Sequence, residues 1–355
     1  TVASIFASSL TTFAGFLVLL LMRLGLGKDI GLVMSKGVLL GLISTVVVLP
    51  PMILLTEKWV NKFNHKVLLP SFDKTANFTL KYKKTLFIVF LALFIPAIYG
   101  STHTDLYYNL DRSLPQDLDS IVALNKMKKD YDMASTHFIV VKDDLSKQSI
   151  NGMVDELENV DGVNNVLSVN SVTGLTLPSS VLPDKLQDNF VKNGYQMLML
   201  NSKYQTASPE VNKQITEINK IVKEHDPDGY LTGEAVLTDD LTEISDRDFK
   251  MVNIASIAVV FIIIAVVFKS FALPIVLIAA IELAILINMG LPFYMGQTIP
   301  FITSIIIGVV QLGSTIDYSI LMTDRFLFEY KKNKDKNKAL KVATKETAKS
   351  IVTSA

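Results

Sequence analysis

Two adjacent residues, Asp317 and Tyr318, carry most of the chemistry this sequence offers. They lie within IPFITSIIIGVVQLGSTIDYSILMT, residues 299–323, a run long enough to cross a bilayer as one helix. Asp317 is the one carboxylate in it. A charged aspartate at bilayer depth costs about 2.5–3.5 kcal/mol on insertion scales. A segment serving only as an anchor would hold leucine there. A carboxyl group kept at that depth is suited to taking up and releasing a proton, since protonation removes the cost of burying its charge. A neighbouring phenol can donate a hydrogen bond to a carboxylate or pass a proton on through water. Ser314 and Gly313, three and four residues earlier, share the aspartate's face. That face can pack on another helix or line a wet cavity. The plainer alternative is a buried aspartate satisfied by a neighbouring serine or lysine, but carboxylates within membranes usually mark ion or proton paths.

Three further polar residues belong with this pair. Glu282 sits mid-way along a second apolar run, FALPIVLIAAIELAILINMG (271–290), with Asn288 a turn and a half later. It reads either as a second titrating or substrate-path residue, or as a carboxylate facing the bundle and paired with Lys36 or a hydroxyl. Asp324 follows Asp317 by seven residues on the same helix face. It is placed to admit or release protons, or to pair with Arg325 or a nearby lysine. Ser314 and Thr315 read as packing and hydrogen-bonding neighbours of the aspartate, not as catalytic hydroxyls. No nucleophile–base pair, phosphate loop or metal-ligand cluster stands out. No enzyme, cofactor or metal is therefore expected. Four histidines (His65, His103, His137, His225) are scattered without ligand spacing, and cysteine is absent, which excludes disulfides and thiolate sites. Net charge is zero, so nothing points to nucleic acid.

The elements that must position these residues follow from hydropathy. Half of the 355 residues are apolar, and charge is segregated between bare and dense stretches. That is the pattern of a polytopic α-helical membrane protein with a polar domain. Residues 1–55 hold two spans, at 4–22 and 31–55, joined by the short loop 23–30. The first half of the earlier span is rich in Ser, Thr, Ala and Gly, as packing faces in lipid are. Pro50 and Pro51 fall near the end of the second, where a kink is tolerable. Residues 56–84, with seven lysines, read as a cytoplasmic linker, and 85–100 as a third span. Three more spans fill 251–323, and 324–355 reads as a basic amphipathic cytoplasmic helix leading into a further span. Basic residues at 56–84 and 324–350 orient the chain. They place 101–249 on the extracytoplasmic side of the cell membrane.

Residues 101–249 contain no run of membrane length. THFIVVK (136–142), a helix at 145–160, NNVLSV (164–169), YQMLMLN (195–201), a helix at 209–225 and YLTGEAVL (230–237) give βαβ followed by βαβ. This suits an α+β domain of the split βαβ, ferredoxin-like kind. Residues 171–194 read as a loop or short helix. Glu234, Asp239, Asp240 and Glu243 read as a solvated helix start rather than a metal site.

The order of elements, with GKDIGLVMSKGVLLGLISTVVVLPPMILL at 27–55 and GVVQLGSTIDYSILMTDRF at 308–326, resembles part of a transporter of the RND superfamily, in its MMPL-type branch. The resemblance runs from end to end, is specific in those two segments and is looser between them. It implies a partial RND-type fold, with these spans as the fifth to the tenth of twelve and 101–249 as the second outer domain. It implies proton-driven export of lipids or other hydrophobic small molecules through the bilayer. Asp317 and Tyr318 then take the tenth-span place in the proton relay. The fourth-span partner would belong to the remaining helices of the full-length protein. Ser4-Ile5 with Ser8-Ser9 echoes Ser350-Ile351 with Thr353-Ser354, which suggests a duplicated protein of which this is one piece. The alternative is a non-transporting or accessory RND-type protein, such as a sterol-sensing-like receptor or a protein-export accessory.

Overall fold

The structure, a computed structural model, describes residues 2–63, 71–169 and 190–354. Most of the 171–194 segment lies outside the described residues. The chain divides into two units, Thr1–Leu106 with Ser245–Ala355, and Tyr107–Ile244.

The first unit is helical. Helix α1 (Val2–Val18) ends in a 3-10 turn, Leu19–Leu21. Helix α2 begins at Gly25, so the expected loop 23–30 shrinks to a few residues. From Gly25 the chain stays helical to Lys62: α2 (Gly25–Ile43), a π turn at Ser44–Val48, then α3 (Leu49–Lys62). The prolines account for that turn. Pro50 and Pro51 have no N–H to give to the carbonyls four residues earlier, and their rings crowd them. The wider turn, closed by Leu49 N–H on Ser44 O, moves those carbonyls aside. The stretch read as a linker therefore carries the end of α3, and also α4 (Asp73–Lys81). Helix α5 runs from Lys83 to His103, longer at both ends than the apolar run alone.

In the second unit, α6 (Asp119–Asp130) precedes an antiparallel sheet. Its strands are β1 (Ser135–Lys142), β2 (Val163–Leu167), β3 (Val191–Lys192), β4 (Tyr195–Ser202) and β5 (Tyr230–Gly233). Helices α7 (Lys147–Glu158) and α8 (Pro209–His225) connect them. Each helix starts on a serine whose hydroxyl accepts the N–H three residues on, Ser146 from Ser149 and Ser208 from Val211. The strand order is β2–β4–β1–β5, with β3 paired to β4. Each helix thus joins two strands separated by a third that runs antiparallel to both. Strict alternation along β1 turns Ile139 and Val141 onto Met153 and Leu157 of α7 and Ile218 and Val222 of α8. At Gly233 (φ +139°) β5 gives way to α9 (Glu234–Phe268), and a Cβ there would lie 2.6 Å from Thr136 O.

His137 shares the buried face of β1 and is fully enclosed, with neither ring nitrogen hydrogen-bonded to another group at full geometry; Gln214 is its polar neighbour. Burial holds its pKa below the usual histidine value.

Helices α10 (Ala272–Tyr294) and α11 (Phe301–Asn333) complete the helical unit with α12 (Lys336–Ser354). Among the described residues, five helical stretches are long and apolar enough to cross a membrane; α1 contributes a shorter apolar stretch, Ser8–Leu21. Side chains such as Leu40, Leu54, Leu55 and Ile95 point outward. A water-soluble protein would not tolerate so much apolar surface. Packing between helices uses small residues. Gly100 of α5 meets Gly290 of α10 so closely that a Cβ on Gly290 would lie 2.8 Å from Ser101 N. The same pair is pinned by Thr104 Oγ1 on Met289 O and by Tyr294 OH on Pro96 O, both 2.8 Å. Asp248 of α9 is fully buried and accepts the main-chain N–H groups of Arg23 and Leu24, each at 2.9 Å. It fixes the turn into α2 and complements that helix's N-terminal dipole.

Two outcomes test this packing. Gly290→Val forces α5 and α10 apart and lowers the thermal midpoint of the detergent-solubilised protein, at a cost of about 1–3 kcal/mol. For His137 the depressed folded pKa fixes the sign: its contribution is intact above the unfolded value of about 6.5 and is lost as the pH falls below it. Protection factors of β1 and β4 amides, with the intrinsic pH dependence of exchange divided out, should therefore fall between about pH 7.5 and about pH 5.5 in the native protein, and much less in His137→Leu.

Candidate functional site

Asp317 lies on α11 where α1 crosses it. Gly15 and Gly313 face one another there, with 3.7 Å between the Cβ that Gly15 lacks and Gly313 Cα. Thr12 of α1 uses this closeness. Its Oγ1 sits 2.7 Å from Gly313 O, 3.2 Å from Ser8 O and 3.4 Å from Asp317 Oδ1. One hydroxyl has one proton to give. The distances assign it to the Gly313 carbonyl, which leaves a lone pair of Thr12 facing Asp317. The Ser8 hydroxyl is the carboxyl's other hydrogen-bonding partner. Among the described residues, no lysine or arginine pairs with Asp317.

The carboxyl opens on a cavity of about 1000 Å³. Asp317, Tyr318, Asp324 and Arg325 line it from α11, and Glu346 and Ser350 from α12. Their spacing along α11 is that of one helix face, so the cavity follows this face from the mid-span carboxyl towards the charged end. Tyr318 OH donates to Ser354 O at 2.9 Å, tying the phenol to the end of α12 rather than to Asp317. The residues that echo Ser4-Ile5 with Ser8-Ser9 lie within α12, which stays helical through Ser350–Ser354. Ser314 and Thr315 return their hydroxyl protons to Val310 O and Gln311 O, both at 2.6 Å. They back-bond their own helix. Arg325 binds Glu329 Oε1 at 2.9 Å and Glu346. Glu329 is buried, 6% exposed, and the shared guanidinium neutralises it. Asp324 stays on the cavity wall.

Glu282 is elsewhere, on α10. Its Oε1 is enclosed and has no hydrogen-bond partner, and the suggested pair with Lys36 does not form. Asn288 Nδ2 donates to Gln311 Oε1 of α11 at 3.1 Å. The structure thus gathers Asp317, Tyr318, Asp324 and Ser314 around one cavity and leaves Glu282 out of it.

Thr12, Asp248 and the Glu329–Arg325–Glu346 cluster escaped sequence reasoning. The composition of α1 marked it as a packing helix without singling out Thr12. The two glutamates lie seventeen residues apart and meet only because the turn at Lys334, with φ 56°, folds α12 back on α11.

A family model for the MMPL family matches residues 112–355, which takes in α9 to α12 and the part of the cavity wall that α11 and α12 supply. The chain belongs to the MMPL family. As an MMPL protein with these apolar helices it is a multi-pass membrane protein of the RND type. It is similar to membrane protein YdgH of Bacillus subtilis (strain 168), 21% identical over 203 residues, 56% of this chain and 22% of that one. It is also similar to membrane protein ActII-3 of Streptomyces coelicolor, 26% identical over 153 residues, 41% of this chain and 21% of that one. The MMPL chain described here thus matches about a fifth of the length of each of these relatives.

Arg325→Met leaves the buried Glu329 without its counter-charge and should destabilise the α11–α12 contact by about 3 kcal/mol, the low end for a broken buried pair because the arginine is partly exposed. Arg325→Met with Glu329→Leu should recover much of that loss. Thermal melts of the two variants and of the native protein make the comparison.

Proposed function

We propose that this MMPL chain is the proton-coupling part of a secondary transporter that exports lipids or other hydrophobic small molecules, driven by the proton-motive force. The observation that carries this reading is Asp317: a carboxyl on a bilayer-length helix, beside the hydroxyls of Ser8 and Thr12 and, among the described residues, without a cationic partner, with a cavity leading from it to the charged end of α11. When it is protonated, its O–H can donate to Thr12 Oγ1, and α1 packs closely. When it is ionised, it needs water or donors that Thr12 does not supply, and the cavity can bring water. The two charge states thus favour different packings of α1 on α11, a two-state element that can drive alternating access. Each proton crossing the membrane contributes about 2.3 kcal/mol per 100 mV. Tyr318 serves the same relay by fixing the end of α12 in one of those packings, and Asp324 serves as the group through which protons leave the cavity.

In this reading Tyr107–Ile244 is an extracytoplasmic domain that shapes the substrate path. Its strand order supports the ferredoxin-like, split βαβ description. The basic helices α4 and α12 lie on the cytoplasmic side of the cell membrane, docked by Lys345 on Asp73 at 3.0 Å. The other working parts, including a second proton-relay residue, come from the remaining helices of the full protein.

Asp317→Asn keeps the shape of the side chain and removes its charge change. In vesicles holding the full-length protein, it should abolish substrate release that depends on a proton gradient. Gradient-driven release at the native rate in that variant would overturn the proposal.

A further inference from the structure

A second carboxyl lies within the bundle, away from the cavity. Glu282 stands half-way along α10, a helix whose Ile278, Ile281, Ile285 and Met289 are buried. These pack on Val260 and Ile264 of α9 and on Leu312 and Ile316 of α11. Oε1 is enclosed and reaches no donor, and no charged group among the described residues acts on the side chain. The apolar parts of the helices around it carry few titratable groups: Tyr99 and Tyr294 on α5 and α10, Asp317 and Tyr318 on α11, and none on α9 between 251 and 268. Asp317 is engaged with Ser8 and Thr12 of α1, and Tyr318 with Ser354. Tyr294 donates to Pro96 O.

An ionised carboxylate with one oxygen enclosed and without a donor costs far more than the neutral acid. Glutamine would fill the same space without any charge. Leucine would fill it without any polar group. We propose that Glu282 is a second proton carrier of this protein, held as the neutral acid in the packing seen here and deprotonated when α10 moves against α9 and α11 to admit water. In that step the carboxyl O–H bond breaks, the proton passes to a water molecule, and the carboxylate takes hydrogen bonds from the water that has entered. The seam between α5 and α10 offers the means. Main-chain contacts at Gly100 and Gly290 and two hydroxyl bonds tie α10 to α5, so the two helices would shift together as one rigid piece against α9 and α11. This inference rests on the proton-coupled reading above but involves a different helix.

Its test has two arms, both on the full-length protein in lipid vesicles. Infrared spectra at neutral pH, with H/D exchange, read carboxylic acid groups directly. Glu282→Gln should remove an acid carbonyl band that Asp317→Asn retains. A spectrum unchanged by Glu282→Gln overturns the neutral acid. Proton flux driven by a pH step is the second arm. It should fall to background in Glu282→Gln and return in part in Glu282→Asp, which restores an ionisable group. Flux at the native level in Glu282→Gln overturns the carrier role even if the band is lost. If the native protein moves no protons, the transport reading falls and the carrier role with it, whereas loss of flux in Asp317→Asn alone leaves the transport reading standing and refutes only Glu282.

Discussion

The arrangement of the helical unit depends on one scarcity: at bilayer depth there are very few hydrogen-bond donors. The helices satisfy their own main chains, and what remains must be shared among a handful of hydroxyls. Thr12 has one proton and three acceptors within reach, and the nearest is the Gly313 carbonyl, not the carboxyl. Ser314 and Thr315, which the sequence places beside the aspartate, spend their protons on their own helix. Asp317 is left with less support than its neighbours' composition suggests. That shortage makes its charge state sensitive to how α1 and α11 sit together.

Charges outside the apolar belt are handled in the opposite way. Asp248 is as buried as any residue in the protein, yet two main-chain N–H groups satisfy it. Glu329 is buried and has Arg325. These carboxylates are structural because their partners are permanent. Burial alone does not separate these carboxyls: Asp317 and Glu282 are less buried than Asp248 but, among the described residues, have no comparable partner.

Much of this was legible in the sequence where a pattern repeats. Alternation in THFIVVK and the 3.6-residue rhythm of 145–160 and 209–225 located the sheet and its two helices, because burial on one face forces those periods. The Asp-Tyr pair stood out because a carboxylate is rare in an apolar run. What hydropathy could not locate were helix ends. Polar residues at both ends of α5 and beyond Leu55 continue their helices, since helix propensity does not stop where the apolar run does. Nor could it find Thr12, whose role arises from a partner more than three hundred residues away. The ion pair of Arg325 with Glu346 was hidden for a related reason: only the folding back of α12 brings that glutamate to it.

The π turn at Ser44–Val48 adds one residue to a helix without adding a turn. Beyond it, every side chain from Leu49 to Lys62 is rotated by about 100° relative to an uninterrupted α-helix, so the stripe of α2 and the stripe of α3 face different neighbours. Losing one residue from SerThrValValVal would let the rod continue as an ordinary α-helix and leave the Leu54–Leu55–Trp59 side at its present bearing. An added or lost residue elsewhere in α2 or α3, with no such turn to absorb it, would instead swing that side towards a different part of the surrounding lipid.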